Sequence, residues 1–408
     1  MKKVVLVAYS LDPRWGTEDG YANTWLEILT KYYSVDVFTD AINKEGILTK
    51  KYNNTNFHYI EGIAPWRAIG MKTGLVNIAT KLFFKKVKKN LKNMDLQDYS
   101  LIHCVTPAGI HSHNDLYKLG IPLVVGPLGG GLPTPAGFRD AFRGQLIKTF
   151  LRDKFYWWSL RWDLGLKKYL TKANRIVLGL SLSEDVVPEQ SRDKCYRIPD
   201  ALVDIDYFTP GNNDHNTDKV RVLFTGRFIS NKGPLLLLDA VKLCVKRGIS
   251  GFVVEFAGFG LLRERLEQKI QDDNLEGYAR LIGNLSQKEL LHKYQTSDIY
   301  CLPTLREPGG IAILEAMACG LPIITSNYGG PSISVTNDCG IKIDVQNYST
   351  YVEELADALI YLMENPELRK RMGIIGRERA VNEYSIEALN KKIIHLYESV
   401  ISESESKR

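Results

Sequence analysis

The chain has 408 residues, 44% of them hydrophobic and 25% charged, with a formal net charge of +6. That length suits two domains, and the balance is that of an ordinary globular protein. It excludes a helical bilayer-spanning protein, since no apolar run approaches the required length, and no collagen-like, heptad or solenoid repeat is visible.

The N-terminus, MKKVVLVAYS, has a basic start and an apolar run of about six residues, too short for a signal-peptide core and followed by no small-residue cleavage site. It reads as a first buried strand over Val4 to Ala8. Tyr21 to Leu29 follows as a helix, and Val35 to Phe38, Leu101 to Cys104 and Leu123 to Val125 as strands. Ile176 to Leu178 is the last strand expected in this half. Apolar runs without alternation, separated by helices, predict a parallel sheet covered on both faces. Thr209 to Lys219, TPGNNDHNTDK, has the composition of a linker. A second unit then repeats the pattern, with strands over Val220 to Thr225, Val253 to Ala257, Arg280 to Ile282, Ile299 to Leu302 and Ile323 to Thr325. Ser286 and Glu289 form a capping-box signature before LLHKYQ. The chain after Arg379 is helical, with a frayed charged tail. The expected boundaries are 1–205, 206–380 and a C-terminal helix and tail over 381–408. Cys104, Cys195, Cys244, Cys301, Cys319 and Cys339 are scattered and show no metal-ligand spacing, which fits a reduced, cytoplasmic protein.

The most informative stretch is IYCLPTLREPGGIAILEAMACGLP, from Ile299 to Pro322. A strand runs into a Pro/Gly loop carrying Glu307, and a helix of small residues follows, carrying Glu315. Gly320 and Pro322 stop that helix. Strand, glycine loop and helix N-terminus make an anion site over Gly309, Gly310 and Ile311. An anion cradle flanked by two hydroxyl-accepting carboxylates suits a ligand with a sugar at each end of a diphosphate. The bland alternative, a dipole-stabilising Glu307 and a solvated Glu315, leaves the paired glycines and the small-residue helix unexplained.

A second loop, VLFTGRFISNKGP, leaves a strand at Gly226 and carries Arg227 and Lys232 before Pro234, which suits a first helical turn. Arg as a fork and Lys as a point charge can neutralise a diphosphate, although two cations on a loop are common in themselves. His103, at a strand end in LIHCVTP, could meet a sugar or phosphate, or could be a satisfied core histidine. His113 is a second candidate. GPLGGG, with Gly129 and Gly130, reads as a flexible acceptor-side loop or a structural turn. SLDPRWGTEDGY carries Gly16 and Thr17 but is no dinucleotide fingerprint. Lys81 to Lys92, KLFFKKVKKNLK, is a basic amphipathic segment, and FYWWSLRW from Phe155 to Trp162 adds aromatics. Together they suggest peripheral contact with anionic membrane, against the alternative of a helix packed on its sheet with solvated lysines. Nucleic-acid binding is not indicated, since no recognisable module is present.

The run EPGGIAILE, Glu307 to Glu315, resembles the Glu-x7-Glu motif of the family 4 retaining glycosyltransferases, glycosyl transferases group 1, and AMACGLPIIT continues the likeness. GRFISNKG, from Gly226 to Gly233, resembles that family's Gly-Arg…Lys-Gly motif. Where the family usually has a bulky residue, this chain has Gly309. The resemblance implies the GT-B fold, an α/β architecture of two Rossmann-like domains whose parallel sheets face a cleft. It implies Glu307 on the donor sugar, Glu315 on the ribose, and Arg227 and Lys232 on the diphosphate, joined by Gly309, Gly310, Ile311 and Gly16. His103 is implied near the donor sugar, and Thr17 near the acceptor. The nucleotide sugar is then a co-substrate, with UDP as first choice and GDP as second. No cofactor or metal is needed, and the base pocket falls near Ile282 and Gly283. The acceptor would be a glycan or lipid-linked hydroxyl in bacterial cell-surface assembly, met in the cytoplasm or at the inner face of the plasma membrane. Two rivals stay open. One is a hydrolase using Glu307 and Glu315 as acid and base; the other is a sugar- or nucleotide-binding protein without turnover.

Overall fold

The computed structural model describes residues 1–12, 14, 17–73, 77–130, 132–138, 154, 158, 160–182, 184–211 and 219–406. The chain forms two compact units. The first takes Met1–Gly131, the stretch from Lys154 to Asp200, and Leu389–Arg408; the second is built on Ala201–Ala388. The C-terminal helix, Ile386–Glu405, therefore belongs from Leu389 onward with the first unit. Its end is tied rather than frayed, since Lys2 pairs with Glu405 at 2.5 Å and Arg175 with Glu403.

The first unit holds a seven-stranded sheet. Its strands are β1 (Lys3–Ala8), β2 (Ser34–Asp40), β3 (Thr55–Ile60), β4 (Tyr99–Thr106), β5 (Leu123–Leu128), β6 (Arg175–Leu178) and β7 (Cys195–Arg197). Their order is β3-β2-β1-β4-β5-β6-β7, all parallel. Continuous burial along β1, β4 and β5 explains their unalternating apolar runs, because helices cover both faces. The helix Asn77–Leu91 is one such cover. Its Phe83, Phe84, Val87 and Leu91 are buried in the sheet's core, which leaves Lys81, Lys85 and Lys89 in solvent. This corrects the membrane reading of Lys81 to Lys92: the helix has no apolar face left for lipid. Of the Phe155 to Trp162 segment, residues 155–157 and 159 lie outside the described residues.

The second unit holds a six-stranded sheet of β8 (Val220–Thr225), β9 (Phe252–Ala257), β10 (Ala279–Gly283), β11 (Ile299–Leu302), β12 (Ile323–Ser326) and β13 (Gly340–Ile343). Its order is β10-β9-β8-β11-β12-β13, again all parallel. The order reverses between β8 and β11, so the loops leaving these adjacent strands diverge and open a crevice at their carboxyl ends. The expected α/β class with two parallel Rossmann-like sheets holds. Strands β3, β7 and β13 were not expected; each is an edge strand. No helix among the described residues is long and apolar enough to cross a membrane. All six cysteines are free thiols.

Candidate functional site

The second unit's switch point carries the two loops singled out from the sequence. After β8 the chain turns at Gly226 (φ 149°), passes Arg227 and Lys232, and enters the helix Pro234–Lys246 through Gly233 (φ 69°). After β11 it passes Glu307 and enters the helix Ile311–Ala318 through Gly310 (φ 72°), a left-handed backbone that favours glycine. The two loops are sewn together. The Asn231 carbonyl accepts from both Thr304 Oγ1 and Leu305 N, each at 2.8 Å. A Cβ on Gly233 would lie 2.1 Å from the Pro303 carbonyl oxygen, so only glycine allows this approach.

This bracing brings Lys232 Nζ onto Glu307 Oε2, residues 75 apart in sequence. The pair is mostly buried, with side-chain exposures of 21% and 12%. The other carboxylate oxygen, Glu307 Oε1, accepts from Gly310 N at 3.1 Å and so occupies the N-terminus of the following helix. Two residues assigned to opposite parts of a ligand thus hold each other. Arg227 differs: it is exposed, and its guanidinium has no partner among the described residues. Gly309 lies against Ala201, where a Cβ would come within 2.8 Å of the alanine methyl. The bulky residue usual at this place would not fit without movement. Ile311 is 38% exposed at the first helical turn.

Glu315 lies one turn into the same helix and is not a solvated helix residue. Burial pushes its carboxyl up to about 7, and a hydrogen bond from Tyr294 opposes that rise. Tyr294 Oη donates to Glu315 Oε2 at 2.9 Å. Tyr294 belongs to the helix Gln287–Gln295, which starts with the expected capping box at Ser286 and Glu289. Thr225, the last residue of β8, lies 3.1 Å from Tyr294 Oη and 2.9 Å from Tyr300 Oη. A buried chain of three hydroxyls therefore runs beneath the site to Glu315. Nothing in the sequence marks Thr225, Tyr294 or Tyr300 as site residues. Their spacing carries no motif, and only the strand order brings them together.

Ile282 and Gly283 end the edge strand β10. Gly283 has positive φ (79°) and open space where a Cβ would stand, while its carbonyl accepts from Gly258 N at 2.7 Å. The neighbouring strands β9 and β8 also end on positive-φ glycines, Gly258 and Gly226. A Cβ on Gly258 would meet the Gly226 carbonyl oxygen at 2.0 Å. Three adjacent strand ends are thereby kept bare of side chains.

In the first unit the residues scatter. His103 sits inside β4, fully buried, not at a strand end. Its Nε2 donates to the Gly126 carbonyl at 2.6 Å, and its Nδ1 accepts from Tyr397 Oη at 2.8 Å. Both ring nitrogens are satisfied, and burial pulls the imidazole down to about 3. A neutral, walled-in ring cannot meet a sugar, so His103 is a core histidine. His113 is partly buried, 3.6 Å from Asp163 Oδ2. Gly129 is buried and donates its N–H to the Ala108 carbonyl at 2.8 Å, which makes it part of a paired turn; Gly130 is exposed with φ 86°. Gly16 lies outside the described residues, and Thr17 opens the helix Thr17–Leu29. Beside it, Glu18 Oε1 accepts from Ala108 N at 2.6 Å, tying the loop after β4 to that helix.

Residues 208–379 match the family model described as glycosyl transferases group 1. Among similar proteins, a D-inositol 3-phosphate glycosyltransferase of Corynebacterium jeikeium is 30% identical over 245 residues, 53% of this chain and 55% of its own length. A GDP-mannose-dependent monoacylated alpha-(1-6)-phosphatidylinositol monomannoside mannosyltransferase of Corynebacterium glutamicum is 24% identical over 48% of this chain and 54% of its own. The chain thus spans about half the length of these relatives. The sucrose-phosphate synthase of Thermosynechococcus elongatus superposes over 98% of this chain and 100% of its own, with a TM-score of 0.64 at 19% identity, a likeness of fold. The likeness to the glycosyl transferases group 1 family thus lies over residues 208–379, in the unit that holds both carboxylates.

Proposed function

We propose that this protein is a retaining glycosyltransferase that moves a hexose-type sugar from a nucleoside diphosphate sugar to an acceptor hydroxyl. One observation carries the reading: Arg227, Lys232, Glu307 and Glu315 converge on the β8/β11 switch point of a single unit. The donor's diphosphate takes Lys232 from Glu307 and draws in the exposed Arg227. Glu307, released, turns to the hydroxyls of the donor sugar. Glu315 holds the ribose, and the open space at Gly283 leaves room for the base.

The chemistry then needs little from any covalent nucleophile. The bond from the anomeric carbon to phosphate breaks, the acceptor oxygen joins on the same face, and its proton leaves with the phosphate or to water. Fixed cations at the leaving diphosphate stabilise the charge that develops there, which is where electrostatic catalysis has most to offer. Against the hydrolase alternative, Glu307 is committed to Lys232 by an ion pair.

UDP remains the first choice of nucleotide, with GDP second; the corynebacterial mannosyltransferase is named as GDP-mannose-dependent. That relative is also named for a phosphatidylinositol-based acceptor, which favours a lipid-linked hydroxyl and a cytoplasmic protein working at the membrane face. The surface for that contact is not the Lys81 helix. Trp158, Trp162 and Leu164 are 59%, 63% and 77% exposed, with Arg161, Lys167 and Lys168 exposed among them. Exposed tryptophans among cations suit the headgroup region of an anionic bilayer. The test is a screen of nucleoside diphosphate sugars for slow release of free nucleotide, which needs no known acceptor. Hydrolysis of simple nitrophenyl glycosides with no nucleotide requirement would replace this reading with the hydrolase.

A further inference from the structure

Resting on the donor-site reading of Glu315, we propose that Tyr294 is a positioning residue, which, wired through Thr225 to Tyr300, holds the Glu315 carboxylate in the one orientation that accepts the ribose hydroxyls. The geometry is specific. Tyr294 Oη has three acceptors in reach: Glu315 Oε2 at 2.9 Å, Thr225 Oγ1 at 3.1 Å and the Ala312 carbonyl at 3.3 Å. A phenol has one proton to give, and an ionised carboxylate is the strongest acceptor of the three. With that proton spent on Glu315, Tyr294 must accept from Thr225. The Thr225 oxygen in turn accepts from Tyr300 Oη at 2.9 Å. The bonds then point one way along the chain and reinforce each other in a dry interior. Tyr294 and Tyr300 are both fully buried, so no water can replace a missing link.

The groups around Glu315 leave it alone in its titration range. Tyr294 and Tyr300 are held far above their usual range by burial. Cys319, on the next turn, is pushed up to about 12, and Arg377 acts on that thiol. Glu307 acts on Tyr300 from the loop. Among the described residues no cation acts on Glu315, and Tyr294 supplies the bond that favours its charged form. Thr225 also ends the strand that delivers Arg227, so the same chain fixes the ribose end of the site relative to the diphosphate end.

The test is calorimetric binding of UDP and of GDP between about pH 6 and pH 9 to the wild type, Tyr294→Phe, Thr225→Val and Glu315→Gln. The terminal phosphate's own titration is common to all four proteins and cancels in their ratios. The wild type should gain affinity through about pH 7 relative to Glu315→Gln, whose ratio should show no midpoint of its own. Tyr294→Phe should move that midpoint up by roughly half a unit to one unit, binding about threefold to tenfold more weakly near pH 7 and keeping a smaller deficit near pH 9, where the carboxylate is ionised but no longer oriented. Thr225→Val, which breaks the chain one link earlier, should move it the same way by less. Thermal melts confirm that each variant is folded; should Tyr294→Phe not fold, the Thr225→Val profile decides. A wild-type profile in Tyr294→Phe, or an equal loss at every pH, overturns the positioning role. Should Glu315→Gln bind both nucleotides as the wild type does, or the wild type bind neither, the donor-site reading falls and the proposal with it.

Discussion

Glu307→Gln should tighten the binding of a bare nucleoside diphosphate while slowing sugar transfer. Lys232 is held by the Glu307 carboxylate. A diphosphate can use that lysine only by breaking or sharing the pair. Glutamine keeps the shape and can still accept from Gly310 N, but it cannot hold the ammonium electrostatically. The worth of the pair lies between two measured regimes. Exposed ion pairs contribute about 0.2–1 kcal/mol, and close desolvated ones about 1.5–7 kcal/mol. With 21% of the lysine and 12% of the glutamate side chain exposed, the pair belongs near the low end of the second, at about 1–2 kcal/mol after screening. Releasing it should improve nucleotide affinity about fivefold to thirtyfold. Turnover should fall by about tenfold or more, since the variant loses a charged acceptor for the sugar hydroxyls. Calorimetry with UDP and GDP reads the first effect, and nucleotide release from the intact donor reads the second. Weaker binding of the bare nucleotide would refute the reasoning, because it would mean that Glu307 positions Lys232 for the diphosphate rather than competing for it.

Three other outcomes follow from the same structure. His103→Asn should lower stability by about 2–3 kcal/mol, because it strands the Tyr397 hydroxyl or the Gly126 carbonyl, yet leave nucleotide affinity unchanged; a folded variant with lost binding would restore the histidine to the site. Glu315→Gln should stabilise the protein at alkaline pH. The folded carboxyl, at about 7, lies above its ordinary value of 4.5, so its cost is absent below pH 4.5, grows up to about pH 7 and stays constant beyond. Chemical melts should show the variant about 1–3 kcal/mol more stable near pH 8 and level with the wild type near pH 4, and a variant less stable near pH 8 would contradict the assignment. Replacing Trp158 and Trp162 by Ala should reduce co-sedimentation with anionic vesicles more than replacing Lys85 and Lys89 by Ser, each lysine being worth about 1 kcal/mol at most. The opposite ranking would return the contact to the Lys81 helix.

What the sequence made legible follows from where each residue's partners lie. Runs such as VVLVA and IYCL announce buried parallel strands, since both faces are covered and no alternation survives. Thr55–Ile60, Cys195–Arg197 and Gly340–Ile343 were missed because edge strands are covered on one side only and keep polar residues. The donor motifs were readable because loop glycines, cations and carboxylates lie close together in sequence. Their pairing was not: Lys232 meets Glu307 only because Asn231 staples two loops across the switch point. His103 was misplaced for the same reason. Its partner Tyr397 is 294 residues away on the C-terminal helix, and the short run LIHCVTP does not show that β4 continues to Thr106. The Lys81 to Lys92 segment had the pattern of either a lipid-facing helix or a packed one. Periodicity reports an apolar face without saying what covers it.

The most direct test of the central claim compares nucleotide release from a panel of nucleoside diphosphate sugars by the wild type, Arg227→Ala and Lys232→Ala. The account predicts release from one or a few donors by the wild type, nearly abolished in Lys232→Ala and reduced at least severalfold in Arg227→Ala, with both variants folded. Release that survives both substitutions unchanged would contradict it.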